Sequence, residues 1–159
     1  MDIRIGQGYD IHRLQKDLPL YLGGVLVPHT HGLDGHSDAD VLLHAIADAC
    51  LGAAGLQDIG TYFVNTDERW SGISSVTILR ETGRLVKEAG WEPVNIDATV
   101  IAEAPKIGGL ISAMKDIIGE ALGISSSAVG IKATTNERLG SIGRYEGIAA
   151  MAVALVKKA

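Results

Sequence analysis

The segment Asp2-Ile3-Arg4-Ile5-Gly6-Gln7-Gly8-Tyr9-Asp10-Ile11-His12 alternates along its length, with Ile3, Ile5, Tyr9 and Ile11 on one side and Asp2, Arg4, Gly6, Gly8, Asp10 and His12 on the other. Successive side chains of an extended chain point to opposite faces, so the pattern predicts a strand with one aliphatic face and one polar, glycine-bearing face. The polar face ends in a carboxylate and an imidazole two residues apart. Downstream, the apolar runs 20–22 and 25–27 flank Gly23-Gly24, which signals a hairpin. Residues 29–35 read as a loop feeding a helix, with Ser37 as N-cap, Asp40 reaching back, and a body that runs to about Ala54. Val41, Ala45, Ile46, Ala49, Cys50 and Ala53 form its apolar stripe, and His44 and Asp48 lie one turn apart along its edge.

Residues 55–72 read as a loop, 74–89 as a second helix and 94–101 as a strand. Ala104-Pro105-Lys106 reads as the start of a third helix, which stops at Gly123. Two more strands, 129–134 and 147–156, flank a turn-rich segment. Together these predict one α+β domain over residues 1–159, a mixed four-stranded sheet with a small hairpin and helices packed on one face. The other sheet face is left to water or another subunit, and self-association is the favoured reading.

Composition narrows the function. Hydrophobic residues make up 47% of the 159, but there are only 2 Trp, 4 Tyr and 1 Phe against 20 Gly, so the core is aliphatic and the turns are many. A net charge of −5 with no basic run argues against nucleic acid. The longest apolar run, 148–156, is 9 residues, far short of the roughly 20 a membrane-spanning helix needs. No targeting pattern opens the chain, and the single Cys50 permits no internal disulfide, so a cytoplasmic location is expected.

Asp10 and His12, on one side of a strand end, could share a divalent cation, and His44, at the margin of a helix that must pack on this sheet, is the best third ligand. One Asp and two His leave a fourth tetrahedral position open, as catalytic zinc sites do. The same residues also read as loop caps and a partly buried histidine. His36, just ahead of a helix N-terminus, can face an anion held by free amides. Thr134-Thr135-Asn136-Glu137 fits either a helix cap or a phosphate or metal role, and Lys106 stands where phosphate could meet it. Gly6-Gln7-Gly8 lacks the third glycine of a dinucleotide fingerprint, and neither a P-loop nor a nucleophile elbow occurs. Cys50 reads as a buried thiol rather than a nucleophile.

Taken in order, Gly8-Tyr9-Asp10-Ile11-His12, Leu22-Gly23-Gly24-Val25, Gly35-His36-Ser37-Asp38-Ala39-Asp40 with His44, Leu51-Gly52-Ala53-Ala54, Asp58-Ile59-Gly60, Ala104-Pro105-Lys106, Lys132-Ala133-Thr134-Thr135-Asn136-Glu137 and Gly143-Arg144-Tyr145-Glu146-Gly147-Ile148 closely resemble the 2-C-methyl-D-erythritol 2,4-cyclodiphosphate synthase family over essentially the whole chain. The resemblance implies a homotrimer with its sheets facing the central axis and its active sites between subunits. It implies cyclisation of 4-diphosphocytidyl-2-C-methyl-D-erythritol 2-phosphate with release of CMP, a lyase step of non-mevalonate isoprenoid biosynthesis.

By the same resemblance, Asp10, His12 and His44 bind one Zn2+ per subunit, and Glu137 holds a second divalent cation, Mg2+ or Mn2+. His36 and Thr135 are implied as catalytic, at the reacting phosphates, with Ser37 beside them. Asp10, Ile11, His12 and Ile59 belong to the substrate site; Asp58 and Gly60 contact the ribose; Asp48 and the loop with Phe63, Asn65 and Asp67 meet the methylerythritol. The segments with Ala102, Ala104, Pro105 and Lys106, and with Ala133, Thr134 and Thr135, enclose the cytosine from a neighbouring subunit. In some relatives a residue at the place of Arg144 helps hold an isoprenoid diphosphate in the central cavity. Three places depart from the family pattern: Val64-Asn65 stands where Pro-Asp is usual, Ser141 where Phe is common, and Met151 where an acidic residue is frequent. A zinc phosphohydrolase and a non-catalytic isoprenoid-binding trimer would draw on the same residues. Gly8, Gly35, Gly60 and Gly143 lie beside these positions, where a backbone would approach phosphate or sugar.

Overall fold

β1 (Ile3–Lys16) and β7 (Gly147–Lys158) run antiparallel with Ile3 opposite Lys157 and Arg13 opposite Gly147, so the first and last strands of the chain form the middle of the sheet. The computed structural model describes residues 2–64 and 66–159, so the contact expected at Asn65 lies outside the described residues. β7 also pairs antiparallel with β5 (Trp91–Ile101), which pairs parallel with β6 (Val129–Thr134). β2 (Leu20–Leu22) and β3 (Val25–Val27) form the expected hairpin apart from the main sheet. Gly23 and Gly24 both take positive φ, 61° and 79°, the conformation a two-residue hairpin turn demands.

The main sheet has five strands where four are expected. β4 (His31–Leu33) pairs with Leu14–Lys16 of β1, giving the order β4-β1-β7-β5-β6. Three residues are too few to show a strand's alternation, which is why this edge reads as loop.

Helices α1 (Val41–Ala53), α3 (Ser75–Glu88) and α4 (Ile111–Leu122) provide the helical cover. All of α1 except Asp48 and Gly52 is buried, so it is the centre of the core rather than an amphipathic surface helix. α1 seats on the glycine-bearing face of β1. A Cβ on Gly6 would fall 2.1 Å from the Ala49 carbonyl oxygen, and one on Gly8 would fall 1.9 Å from that of Ala45. Gly8 therefore serves helix packing, and it also lines the cleft of Asp48 and Asp58. The aliphatic face of β1 is the uncovered one: Ile3, Ile5, Tyr9 and Ile11 are 43–70% exposed, continued on β7 by Met151 and Val153.

The helix starts differ from expectation. Ser37 does not cap α1; Asp40 does, accepting from the Leu43 amide at 3.1 Å. Ala39, with φ at 55°, turns the chain between them. Fully buried Asp40 also accepts from the amides of Gly23 (3.0 Å) and Gly24 (2.7 Å), tying the hairpin to the helix, and burial pushes its carboxyl above the ordinary value. Pro105 is not in a helix's first turn: it lies in the loop after β5, where the Ala102 amide reaches back to the Thr134 carbonyl, and α4 begins six residues later. Thr134–Glu137 caps no helix either, because Thr135 Oγ1 accepts from the nearby Glu137 amide to form a local turn.

Candidate active site

β1 carries Asp10 and His12 on the face that α1 covers, and α1 brings His44 down onto them. Asp10 Oδ2 lies 3.0 Å from His12 Nε2 and 3.1 Å from His44 Nδ1, and the two ring nitrogens are 3.4 Å apart. The other ring atoms show which nitrogens carry protons. His12 Nδ1 is 2.8 Å from the Asp34 carbonyl, which only accepts, so Nδ1 bears the hydrogen and Nε2 presents a lone pair. His44 Nε2 faces Ser75 Oγ at 2.9 Å, and the Ser75 hydroxyl donates to the Asp38 carboxylate. The serine proton being committed, Nε2 donates to Ser75 and Nδ1 presents its lone pair. Three acceptors, one of them anionic, thus converge within 4.8 Å, an arrangement that calls for a cation.

A proton can take that place, and the titration of the cluster reflects it. The hydrogen bond and charge of Asp10 raise the pKa of His12 against the opposing effect of burial. Burial would raise the Asp10 carboxyl, but the His12 and His44 rings together outweigh it and hold the group well below its ordinary range.

The cluster opens into a cleft of about 220 Å³ that also receives His36, Ser37, Ile59, Gly60 and Phe63, with Trp70, Ile73 and Ile78 as apolar walls. Five of the other expected residues line two further clefts. Asp48 and Asp58 line one together, Asp48 accepting from the Ile59 amide at 2.8 Å and Asp58 capping α2 (Ile59–Tyr62) through the Thr61 amide at 3.0 Å. Thr135, Glu137 and Lys106 line the other with Glu103, Arg138 and Tyr145, a space of about 570 Å³ that shares no residue with the His36 cleft. β7 and β5 separate β1 from β6, so one chain does not bring His36 and Thr135 together.

Ile11 points to the uncovered sheet face, away from Asp10 and His12. Arg144 is exposed and paired with Glu146 at 2.7 Å. Cys50 is fully buried, which pushes its thiol up to about 12 and leaves it unreactive.

Residues 3–157 match the YgbB family. The chain belongs to that family. It is 59% identical, over 98% of its own length and 96% of the relative's, to the 2-C-methyl-D-erythritol 2,4-cyclodiphosphate synthase of Bordetella petrii. Its fold matches the bifunctional IspDF of Campylobacter jejuni with a TM-score of 0.95 at 40% identity, covering 99% of this chain and 43% of that longer one. It matches a CDP complex of Plasmodium falciparum IspF with a TM-score of 0.85 at 36% identity, covering 98% and 96% of the two chains.

The motif positions of this YgbB-family chain are supported by residues that sequence reasoning missed. Glu103 Oε1 accepts from the amides of Asn136 (3.0 Å) and Arg138 (3.1 Å) and so shapes the loop that carries Thr135 and Glu137. Ser75 Oγ meets His44 Nε2, and Asp38 accepts from Ser75. The one hint was a second serine, Ser75, beside the Ser74 that suffices as N-cap of α3.

Proposed function

We propose that this YgbB-family enzyme cyclises 4-diphosphocytidyl-2-C-methyl-D-erythritol 2-phosphate to 2-C-methyl-D-erythritol 2,4-cyclodiphosphate, releasing CMP, in non-mevalonate isoprenoid biosynthesis. The observation that carries this reading is the convergence of Asp10, His12 and His44 beside His36 in one cleft, in a chain so similar to a named synthase. Asp10, His12 and His44 would hold zinc and Glu137 a Mg2+ or Mn2+, which when bound polarise the β-phosphate and neutralise charge on departing CMP.

The nucleophile is an oxygen of the substrate's own 2-phosphate, already anionic, so no general base is needed. A bond forms from that oxygen to the β-phosphorus while the bond to the α,β-bridging oxygen breaks, and CMP leaves with the α-phosphate. Catalysis then rests on alignment and on donors aimed at developing charge. His36 supplies one donor from the metal cleft, with Ser37 beside it, and Thr135 supplies the other. Asp58, Ile59 and Gly60 hold the ribose, and Ile11 joins through its backbone. Asp48, Phe63 and Asp67 meet the methylerythritol. Ala102, Ala104, Pro105, Lys106, Ala133 and Thr134 enclose the cytosine.

Because one chain keeps the His36 and Thr135 clefts apart, the complete site needs a neighbour. Three copies of this single 1–159 domain with their aliphatic sheet faces toward a common axis would bury Ile3, Ile5, Tyr9, Ile11, Met151 and Val153 and bring unlike clefts together. An isoprenoid diphosphate in the axial cavity would first have to draw Arg144 away from Glu146. No described helix is long and apolar enough to cross a membrane, and the lone buried thiol suits the cytoplasm.

The test is incubation with the cytidyl substrate, zinc and Mg2+, following CMP and the cyclic diphosphate. Equal amounts of both support the reading. A linear phosphate product would point to hydrolysis, and isoprenoid diphosphate binding without turnover would point to a binding protein; either result overturns the cyclisation.

A further inference from the structure

Ser75 is fully buried at the first position of α3, where a helix start needs only the preceding Ser74 as cap. Its side chain is committed elsewhere. The hydroxyl donates to Asp38 Oδ1, Asp38 Oδ2 accepts from the Ser75 amide at 3.0 Å, and Asp38 Oδ1 accepts further from the Asp40 amide at 3.3 Å. Both amides can only donate, so Asp38 is held as an acceptor beside the Ser75 hydroxyl, and with that hydroxyl donating to Asp38, Ser75 offers His44 Nε2, 2.9 Å away, a lone pair. Ser37 Oγ lies 3.2 Å from the same nitrogen and 3.5 Å from Ser75 Oγ, and can accept from Nε2 in its place.

We propose that Ser75 and Asp38 are positioning residues for the metal ligand His44, selecting the Nε2–H tautomer so that Nδ1 faces Asp10 and His12 with a lone pair. Reversal of the chain would put a proton on Nδ1, pointing at the cation. Such second partners typically change metal affinity by roughly 10- to 100-fold. The inference rests on the reading of Asp10, His12 and His44 as a zinc site, and it places one of that site's determinants on α3 and another in the loop beside His36.

The test compares the unmodified protein with Asp38→Asn, Ser75→Ala and Ser75→Thr. Zinc affinity is read by competition with a chromophoric chelator, and the His44 tautomer by long-range 15N–1H correlation in the zinc-free protein at pH 8. Asp38→Asn, whose amide can donate to Ser75 and turn that hydroxyl toward Nε2, should populate the Nδ1–H tautomer and weaken zinc roughly 10- to 100-fold. Ser75→Ala should weaken it less, because Ser37 remains, and Ser75→Thr should restore it. Lower melting temperatures with unchanged zinc affinity and an unchanged tautomer would show a purely structural role and overturn the inference. If the unmodified protein takes up zinc but Asp38→Asn matches it within two-fold, only this inference falls. If the unmodified protein takes up no zinc, the metal reading falls and this inference with it.

Discussion

Replacing Gly8 with alanine tests how the core sets the proposed metal site. The added methyl would lie 1.9 Å from the Ala45 carbonyl oxygen, against the 3.4 Å of ordinary contact, so α1 must retreat by about 1.5 Å or β1 must bend away by as much. Neither side of the contact is a flexible side-chain tip; both are backbone in regular structure. The cost should sit at the upper end of overpacking, about 3 kcal/mol. For a chain of this size that lowers the melting temperature by roughly 6–12 °C. The same movement acts on the cluster, because His44 immediately precedes Ala45 and must stay 3.1 Å from Asp10, whereas ligand distances tolerate only about 0.2 Å. Gly8→Ala should therefore lose stability and at least ~10-fold in zinc affinity together. Gly52→Ala is the control. It lies on the exposed side of α1 with nothing within 4 Å of an added methyl, and should gain up to about 1 kcal/mol with zinc binding unchanged. Scanning calorimetry and chelator competition read both effects. A Gly8→Ala protein that melts within about 2 °C of the parent, under 1 kcal/mol at this size, and binds zinc equally would refute the close packing of α1 on β1.

Three further outcomes are expected. His44→Ala should abolish zinc uptake, measured by metal analysis of the purified protein, while the circular dichroism spectrum stays that of a folded chain. His12 has its pKa raised above 6.5 by pairing with Asp10, so in zinc-free protein this pairing stabilises fully below pH 6.5 and fades as pH climbs through the raised value. At the acid end the lowered Asp10 carboxyl makes its contribution fade as pH falls below 3.8. At the proposed zinc site the cation would compete with the His12 proton and should bind more tightly as pH rises, and His12→Gln should remove the upper step from a denaturation series. Glu103→Ala frees the amides of Asn136 and Arg138, and should raise KM for the cytidyl substrate several-fold while zinc content is unchanged.

Much of the site is legible in the sequence because its geometry is periodic. Asp10 and His12 share a face by the two-residue repeat of a strand, and His44 lies at the margin of the helix that this face must receive. The orienting partners are not legible, since His44 and Ser75, or Glu103 and Asn136, are more than thirty residues apart and meet only through the packing of α1 on α3 or of the loops after β5 and β6. The helix start was ambiguous for a local reason: Ser37 and Asp40 both satisfy cap chemistry, and the turn at Ala39 that decides between them leaves no mark in composition. In β1 the alternation separates an aliphatic face from a glycine-bearing one; the aliphatic face lies open, and Gly6 and Gly8 mark the side that packs.

The disjoint linings of the His36 and Thr135 clefts have a genetic consequence. A chain damaged in one cleft keeps the other intact, so in the proposed assembly of three copies a neighbour would supply what its partner lacks. Two alleles that are each inactive alone, His36→Ala and Thr135→Ala, should complement when expressed in one cell, whereas two alleles hit in the same cleft should not.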